Sequence, residues 1–340
     1  MSAPDTSAPA AAGPGRCGER IVIVAVIVLA LAALWYLSSQ RQTTLRVSAS
    51  GFDGLTTWLR ANDLDAQTFT GGYSIDAKTV GLAVLPLYDT RPGEARERPS
   101  TKEELIFQKD ENTVFALPLR VRMVPSLLAL PKWRTGMRLT GVGHPALLIP
   151  GAENNVILPD ILSGGTVTHI PQPFTRFRYE ASDGRRLEAE LYVAQVFRSP
   201  DCRPIIGTRD AMVLGECVLP DIPEGLERSF RRNDPQETVL ILSDPDLLSN
   251  HGMRLGDNAE IALDLISSRA AAARAPAEDA EDTASSDGRV FVDYSPYSRF
   301  VFFRSRGADR ERTWSDLLRF FEYPFSILWV GAGLAFGLAV

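Results

Sequence analysis

Histidine and cysteine are scarce in this chain, with three of each in 340 residues. His144, His169 and His251 show no H-x-x-x-H spacing, and no C-x-x-C occurs. The usual ligand patterns for zinc are therefore missing, and neither a metal nor a cofactor is expected. There is no G-x-S-x-G elbow and no G-x-x-x-x-G-K-[ST] loop, the signals of an α/β-hydrolase and of a phosphate-cradling P-loop. The glycines of "TGVGHP" (140–145) follow no clear strand and open no helix, so they carry no dinucleotide fingerprint. A basic excess is also absent: 36 Lys and Arg against 42 Asp and Glu leave a formal charge of −6. Nucleic acid, which attracts a basic face or stripe, is not an expected partner.

What is present is an ordinary globular composition, 45% hydrophobic and 23% charged, with length enough for one large core or two smaller ones. Two uncharged runs interrupt it. Ile21 to Leu37, "IVIVAVIVLALAALWYL", stands between Arg20 and Arg41, with Trp35 and Tyr36 near its end. At 1.5 Å per residue it spans about 25 Å, close to a hydrocarbon core once Ser38 and Ser39 are added. A transmembrane helix over 21–39 is expected; a cleaved signal peptide is the rival, opposed by the length of the run and by the lack of an A-x-A site after it. Phe325 to Val340, "FSILWVGAGLAFGLAV", predicts a second membrane helix over 324–340, stopping just short of a full span at about 24 Å, so that a further segment is expected beyond it.

Residues 1–20, rich in Ala, Pro and Gly, predict a disordered tail. The body between the two runs can lie on either side of the membrane. Arg16 and Arg20 precede the first run, Arg41 and Arg46 follow it, and Arg304, Arg306, Arg310, Arg312 and Arg319 precede the second. A literal positive-inside count puts the body in the cytoplasm, although large domains translocate largely regardless of charge. The cysteines point the other way. A hairpin turning at Thr208-Arg209-Asp210 would set Cys202 directly opposite Cys217, within reach of a disulfide. Two small buried residues are the alternative. The bond would mean an oxidising compartment and a periplasmic body on the inner membrane.

Along the body, "TTLRVSAS" (43–50) predicts a short strand and "GFDGLTTWLRANDL" a helix with Leu55, Trp58, Leu59 and Leu64 at helical spacing. "AQTFT" is a weak strand, and "VGLAVLPLYDT" (80–90) an apolar run suited to a strand buried on both faces. Ser100 and Glu103 suggest a capping box. "TVFALPLRV" and "VPSLLALPKW" are expected to supply the next strand. From 164 to 235 apolar and polar residues alternate, with a turn signal at "SDGR" (182–185), predicting an antiparallel β insertion. "ETVLILSD" returns to a buried strand, "DNAEIALDLISS" to a helix, 271–288 to a flexible linker, and "RVFVDYS" to a last strand. The fold expected is thus α/β: residues 42–163 and 236–303 form a parallel sheet with helices, interrupted by the insertion.

The stretch "SDPDLLSNHGMRLGDN" (243–258) leaves a strand end and enters a helix, the edge where open α/β sheets bind ligands. Asp244, Asp246, Asn250, His251 and Asn258 are its candidate ligand-binding residues. Each also has a structural use: Asp244-Pro245 and Asn250-His251-Gly252 are turn chemistry, and Asp257 with Glu260 makes a D-x-x-E cap for the helix starting near Asn258. No residue is assigned a catalytic role.

The early "SASGFDGLTTWLRANDL" paired with the late "VLILSDPDLLSNHGMRLGDNAEIALDLI" resembles the bacterial domain-of-unknown-function family 4350. The resemblance implies a class I glutamine-amidotransferase-like, flavodoxin-related fold between two membrane helices, and a partnership with a MoxR-type AAA+ ATPase. Where members carry "DEYHHG"-like residues on the final strand, this chain has Asp293-Tyr294-Ser295-Pro296. The nucleophilic cysteine of a working amidotransferase would follow "GLAVL", where Pro86-Leu87-Tyr88-Asp89 stands instead. The expected function is therefore a non-enzymatic, membrane-anchored domain that binds a protein partner or envelope ligand. The alternatives are a small-molecule sensor using the sheet edge, and an envelope hydrolase using Asp244, Asp246 or His251.

Overall fold

The computed structural model describes residues 23–31, 45–94, 97–222, 235–272, 288–297 and 300–301. The chain divides into two units, of which the second, residues 44–308, holds all the sheet. In the first, residues 23–31 are helical with every side chain exposed. Among the described residues no helix is long and apolar enough to cross a membrane. The rest of the run at 21–39, the tail at 1–20, the run at 324–340 and most of the linker at 271–288 lie outside the described residues.

The strands are β1 (Ala66–Phe69), β2 (Ile75–Asp76), β3 (Val80–Pro86), β4 (Ser126–Ala129), β5 (Thr166–His169), β6 (Phe174–Glu180), β7 (Arg186–Tyr192), β8 (Gln195–Arg198), β9 (Cys202–Thr208), β10 (Ala211–Val218), β11 (Thr238–Leu242), β12 (Arg289–Asp293) and β13 (Phe300–Val301). The helices are α1 (Asp53–Ala61), α2 (Lys102–Phe107), α3 (Leu117–Met123), α4 (Thr135–Thr140), α5 (Gly151–Asn154) and α6 (Asn258–Ala272). One sheet runs β1-β12-β3-β4-β11-β10-β8-β5, with β9 paired to β10. From β1 to β11 every pairing is parallel; from β11 outward every pairing is antiparallel.

Alternation along the parallel strands builds two cores. Leu82 and Val84 of β3, Leu127 and Ala129 of β4, and Leu240 and Leu242 of β11 face one side, with Leu55 and Leu59 of α1 and Ile261, Leu265 and Ile266 of α6. Leu85, Leu128 and Ile241 face the other, with Leu117 and Val121 of α3. Both faces are covered, which is why β3 is buried at every position and its sequence is continuously apolar.

Three local expectations need correction. First, residues 45–47 form a helical turn, not a strand. Ser48 Oγ donates to the Leu45 carbonyl at 2.6 Å, closing the chain on itself, and the sheet position between β1 and β3 is filled by β12. Second, "LPLRV" lies in the helix α3. Pro118 stands in its first turn, where a missing N–H costs nothing and its φ suits a helix. Third, the α2 cap is one residue later than expected: Glu104 N–H donates to Thr101 Oγ1 at 3.1 Å, and the Glu104 carboxylate accepts back from the Thr101 N–H. The antiparallel strands expected within 164–235 are present, inserted between β4 and β11 in the chain. β5, β8, β9 and β10 extend the main sheet, and only β6 and β7 form a ribbon of their own, joined at Ala181–Arg185 with Gly184 at φ 82°.

The cysteine hairpin follows the expected register: Thr208 pairs with Ala211 across the turn, Cys202 with Cys217, and the two cysteines are bonded. The ladder slips twice near Leu214, and the second slip cancels the first, so counting from the turn still finds the partner.

Candidate functional site

β4 and β11 are parallel neighbours, with Ala129 beside Leu242, so the loops after them leave the same edge side by side. That adjacency brings Pro131-Lys132-Trp133 against Ser243-Asp244-Pro245-Asp246. Lys132, Asp244 and Asp246 are completely buried there as an ion triad. Lys132 Nζ donates to Asp244 Oδ2 and Asp246 Oδ2 at 2.7 Å each, and to the Tyr192 carbonyl at 2.7 Å, satisfying its three donors. The remaining carboxylate oxygens are also taken. Trp133 Nε1 donates to Asp246 Oδ1 at 2.7 Å, and Asp246 N–H donates to Asp244 Oδ1 at 3.0 Å. Gln195 N–H from β8 reaches Asp244 Oδ2 at 2.8 Å.

One cation cannot neutralise two carboxylates. Burial pushes the Asp244 carboxyl up, the ammonium of Lys132 pulls it down, and Asp246 pushes it up again, leaving it at about 6. For Lys132, burial alone would lower the pKa, but the two carboxylates outweigh it and hold the ammonium above its ordinary value.

The other members of the stretch are spent in the same way. Asn250 Oδ1 accepts from Gly54 N–H at 2.6 Å, and its Nδ2 donates to the carbonyls of Ser48 and Arg46 at 2.7 and 3.0 Å. It thus pins the turn that leads into α1. Asn258 exchanges bonds with the Glu190 backbone at 3.0 and 2.9 Å and donates to the Gly252 carbonyl at 2.8 Å. Gly252 packs so closely that a Cβ would lie 1.7 Å from the Asp246 carbonyl oxygen. His251 is half-buried, its N–H donates to the Ala49 carbonyl at 2.9 Å, and its ring makes no hydrogen bond among the described residues. The expected box between Asp257 and Glu260 is not formed. Asp257 precedes α6, but its carboxylate accepts from Glu188 N–H at 2.8 Å, and Glu260 pairs with Arg185 at 2.8 Å. The β6–β7 ribbon lies against this end of α6 and draws both side chains away.

The ends of β3 and β12 hold a second buried cluster. Arg120 of α3 is paired with Asp293 and donates to the Ser295 carbonyl at 2.7 Å. Tyr88 and Tyr294 stack beside it, with Tyr294 Oη accepting from Phe52 N–H at 2.9 Å and Tyr88 Oη donating to the Ser50 carbonyl at 3.2 Å. Pro86, Leu87, Tyr88 and Asp89, where an elbow would stand, are all buried.

Lys132, Trp133, Gln195 and Arg120 were not singled out by the sequence. A lysine directly after the apolar run "SLLALP" was the one available signal, since a cation in that place must find an anion. Of the candidates, Asp244 and Asp246 meet in one cluster. Asn250 lies apart, on a cleft of about 530 Å³ lined with Val47, Gly54, Trp58, Met253 and Arg254, and Asn258 faces the ribbon. Among the described residues no group of three or more His, Cys, Asp or Glu side chains is placed to hold a metal ion. Comparison with family models, curated proteins and solved structures finds no match to this chain.

Proposed function

We propose that this chain is a non-enzymatic, membrane-anchored domain that binds a protein partner in the bacterial envelope. One observation carries the reading: the polar side chains at the C-terminal edge of the parallel sheet are buried and paired with one another. This is the edge that ligand-binding α/β proteins leave open. A catalytic acid, base or nucleophile must reach a substrate, and here Asp244, Asp246 and Asp293 are at most 2% exposed.

Further support comes from three sides. The uncharged run at 21–37 suits an anchor. The Cys202–Cys217 bond suits a body on the periplasmic side. In chain order the five parallel strands stand 1-5-2-3-4, a circular permutation of the flavodoxin-like 2-1-3-4-5 that the family resemblance implies. In this reading the domain serves an assembly or regulatory complex on which a MoxR-type ATPase acts from the cytoplasm. The test is purification of the tagged full-length chain from native membranes at native expression, with cysteine mapping under non-reducing conditions. A stoichiometric protein partner and an oxidised Cys202–Cys217 pair are expected. Recovery of background proteins alone, or two free thiols, would overturn the partner or the compartment respectively.

A further inference from the structure

A second place on the body is built unlike the sheet edge. A cleft of about 420 Å³ lies where β5 begins, where β8 ends and where the β9–β10 hairpin turns. Arg198 and Arg209 line it, and both are exposed with no ion pair or hydrogen bond to their side chains among the described residues. Six other arginines of the body, Arg120, Arg134, Arg138, Arg176, Arg185 and Arg203, hold carboxylates.

The frame around these two is firm. Arg198 pairs with Thr166 in the β5–β8 ladder, so its Cα is fixed by the sheet. Arg209 and Asp210 are the two turn residues of a hairpin whose base is closed by the Cys202–Cys217 bond. Gly165 approaches so closely that a Cβ would meet the Arg198 carbonyl oxygen at 2.9 Å, whereas nothing lies within 4 Å of a Cβ built on Gly164. Ser199 is buried and holds the Gly164 carbonyl at 2.7 Å, fixing the cleft floor. Among the described residues the one carboxylate lining the cleft is Asp210; nearby Asp201 accepts from the Ser163 N–H at 2.8 Å.

We infer that this cleft binds an anionic group, a phosphate or a carboxylate, between the guanidiniums of Arg198 and Arg209. Planar guanidiniums recognise these groups through paired N–H donors, and two of them on a fixed frame lose little freedom on binding. Asp210 opposes the ligand and sets a modest affinity. The site is independent of the partner reading, because Arg198 lies three residues along β8, about 10 Å, from Gln195, the residue of that strand that meets the triad.

The experiment is calorimetric titration of the full-length chain in detergent with inorganic phosphate and, separately, with succinate, at ionic strength held constant with chloride. Saturable binding of at least one probe is expected. It should weaken at least tenfold in Arg198→Ala/Arg209→Ala and stay unchanged in Arg178→Ala, an exposed arginine of β6 outside the cleft. Asp210→Asn should tighten it severalfold, a gain that misfolding cannot imitate. Phosphate alone saturating would indicate phosphate-bearing ligands, and succinate alone carboxylate-bearing ones. Failure of both probes to saturate, or isotherms unaltered by the double substitution, would overturn the site while leaving the partner reading untouched.

Discussion

Lys132 shows what a buried charge does for this fold. Its ammonium holds Asp244 and Asp246 in the apolar interior, so removing it leaves two uncompensated carboxylates. Lys132→Met is expected to lose about 3–5 kcal/mol in urea unfolding, as a broken buried pair does. Exposed Lys78→Met should change stability by no more than about 0.5 kcal/mol. The triad also carries a pH signature. Because burial and Asp246 raise Asp244 in the folded state to about 6, the native protein holds that proton more tightly than the unfolded chain. The stability it contributes is complete below the ordinary Asp value of about 4 and is lost as pH rises through about 6. His169 acts in the opposite sense, since burial and then Lys132 lower its pKa and stability is lost as pH falls through the histidine range. The two are separated by difference: wild type should gain stability on Asp244→Asn as pH falls from about 7 to about 5. Parallel curves for the two proteins would count against the triad.

At the scale of elements, the strands buried on both faces were legible in the sequence and the edges were not. "VGLAVLP" and "TVLIL" appear as β3 and β11 because nothing but an interior strand explains such runs. The disulfide was legible because a turn signal and a register fix a partner by counting. The short strand expected at 43–50 failed for a reason no local pattern holds: the place beside β3 belongs to β12, more than two hundred residues away in the chain. The caps failed through neighbours. Ser100 and Thr101 both carry a hydroxyl at suitable spacing, and the helix starts after the second. Thr101→Ala should therefore cost about 1 kcal/mol while Glu103→Ala stays nearly neutral, as thermal unfolding would show. A larger loss from Glu103→Ala would restore the earlier cap.

For the whole molecule, the decisive fact is where the sheet spends its polar residues. Asp244, Asp246, Asn250 and Asn258 looked like a site because they crowd a strand-to-helix connection at a sheet edge. Their partners, Lys132, Gln195, Gly54 and Glu190, come from three distant parts of the chain, and no motif links them. What the stretch does is join the turn before α1, the end of β4, the ribbon and α6 into one body. Carboxylate footprinting with a carbodiimide and a small amine, read by peptide mass, tests this most directly on the native full-length protein. Asp183 and Asp210, both exposed, should label readily, while Asp244 and Asp246 stay unlabelled until denaturant unfolds the chain. Labelling of Asp244 or Asp246 in the native protein at the rate of Asp210 would contradict the account and return the stretch to the status of an open site.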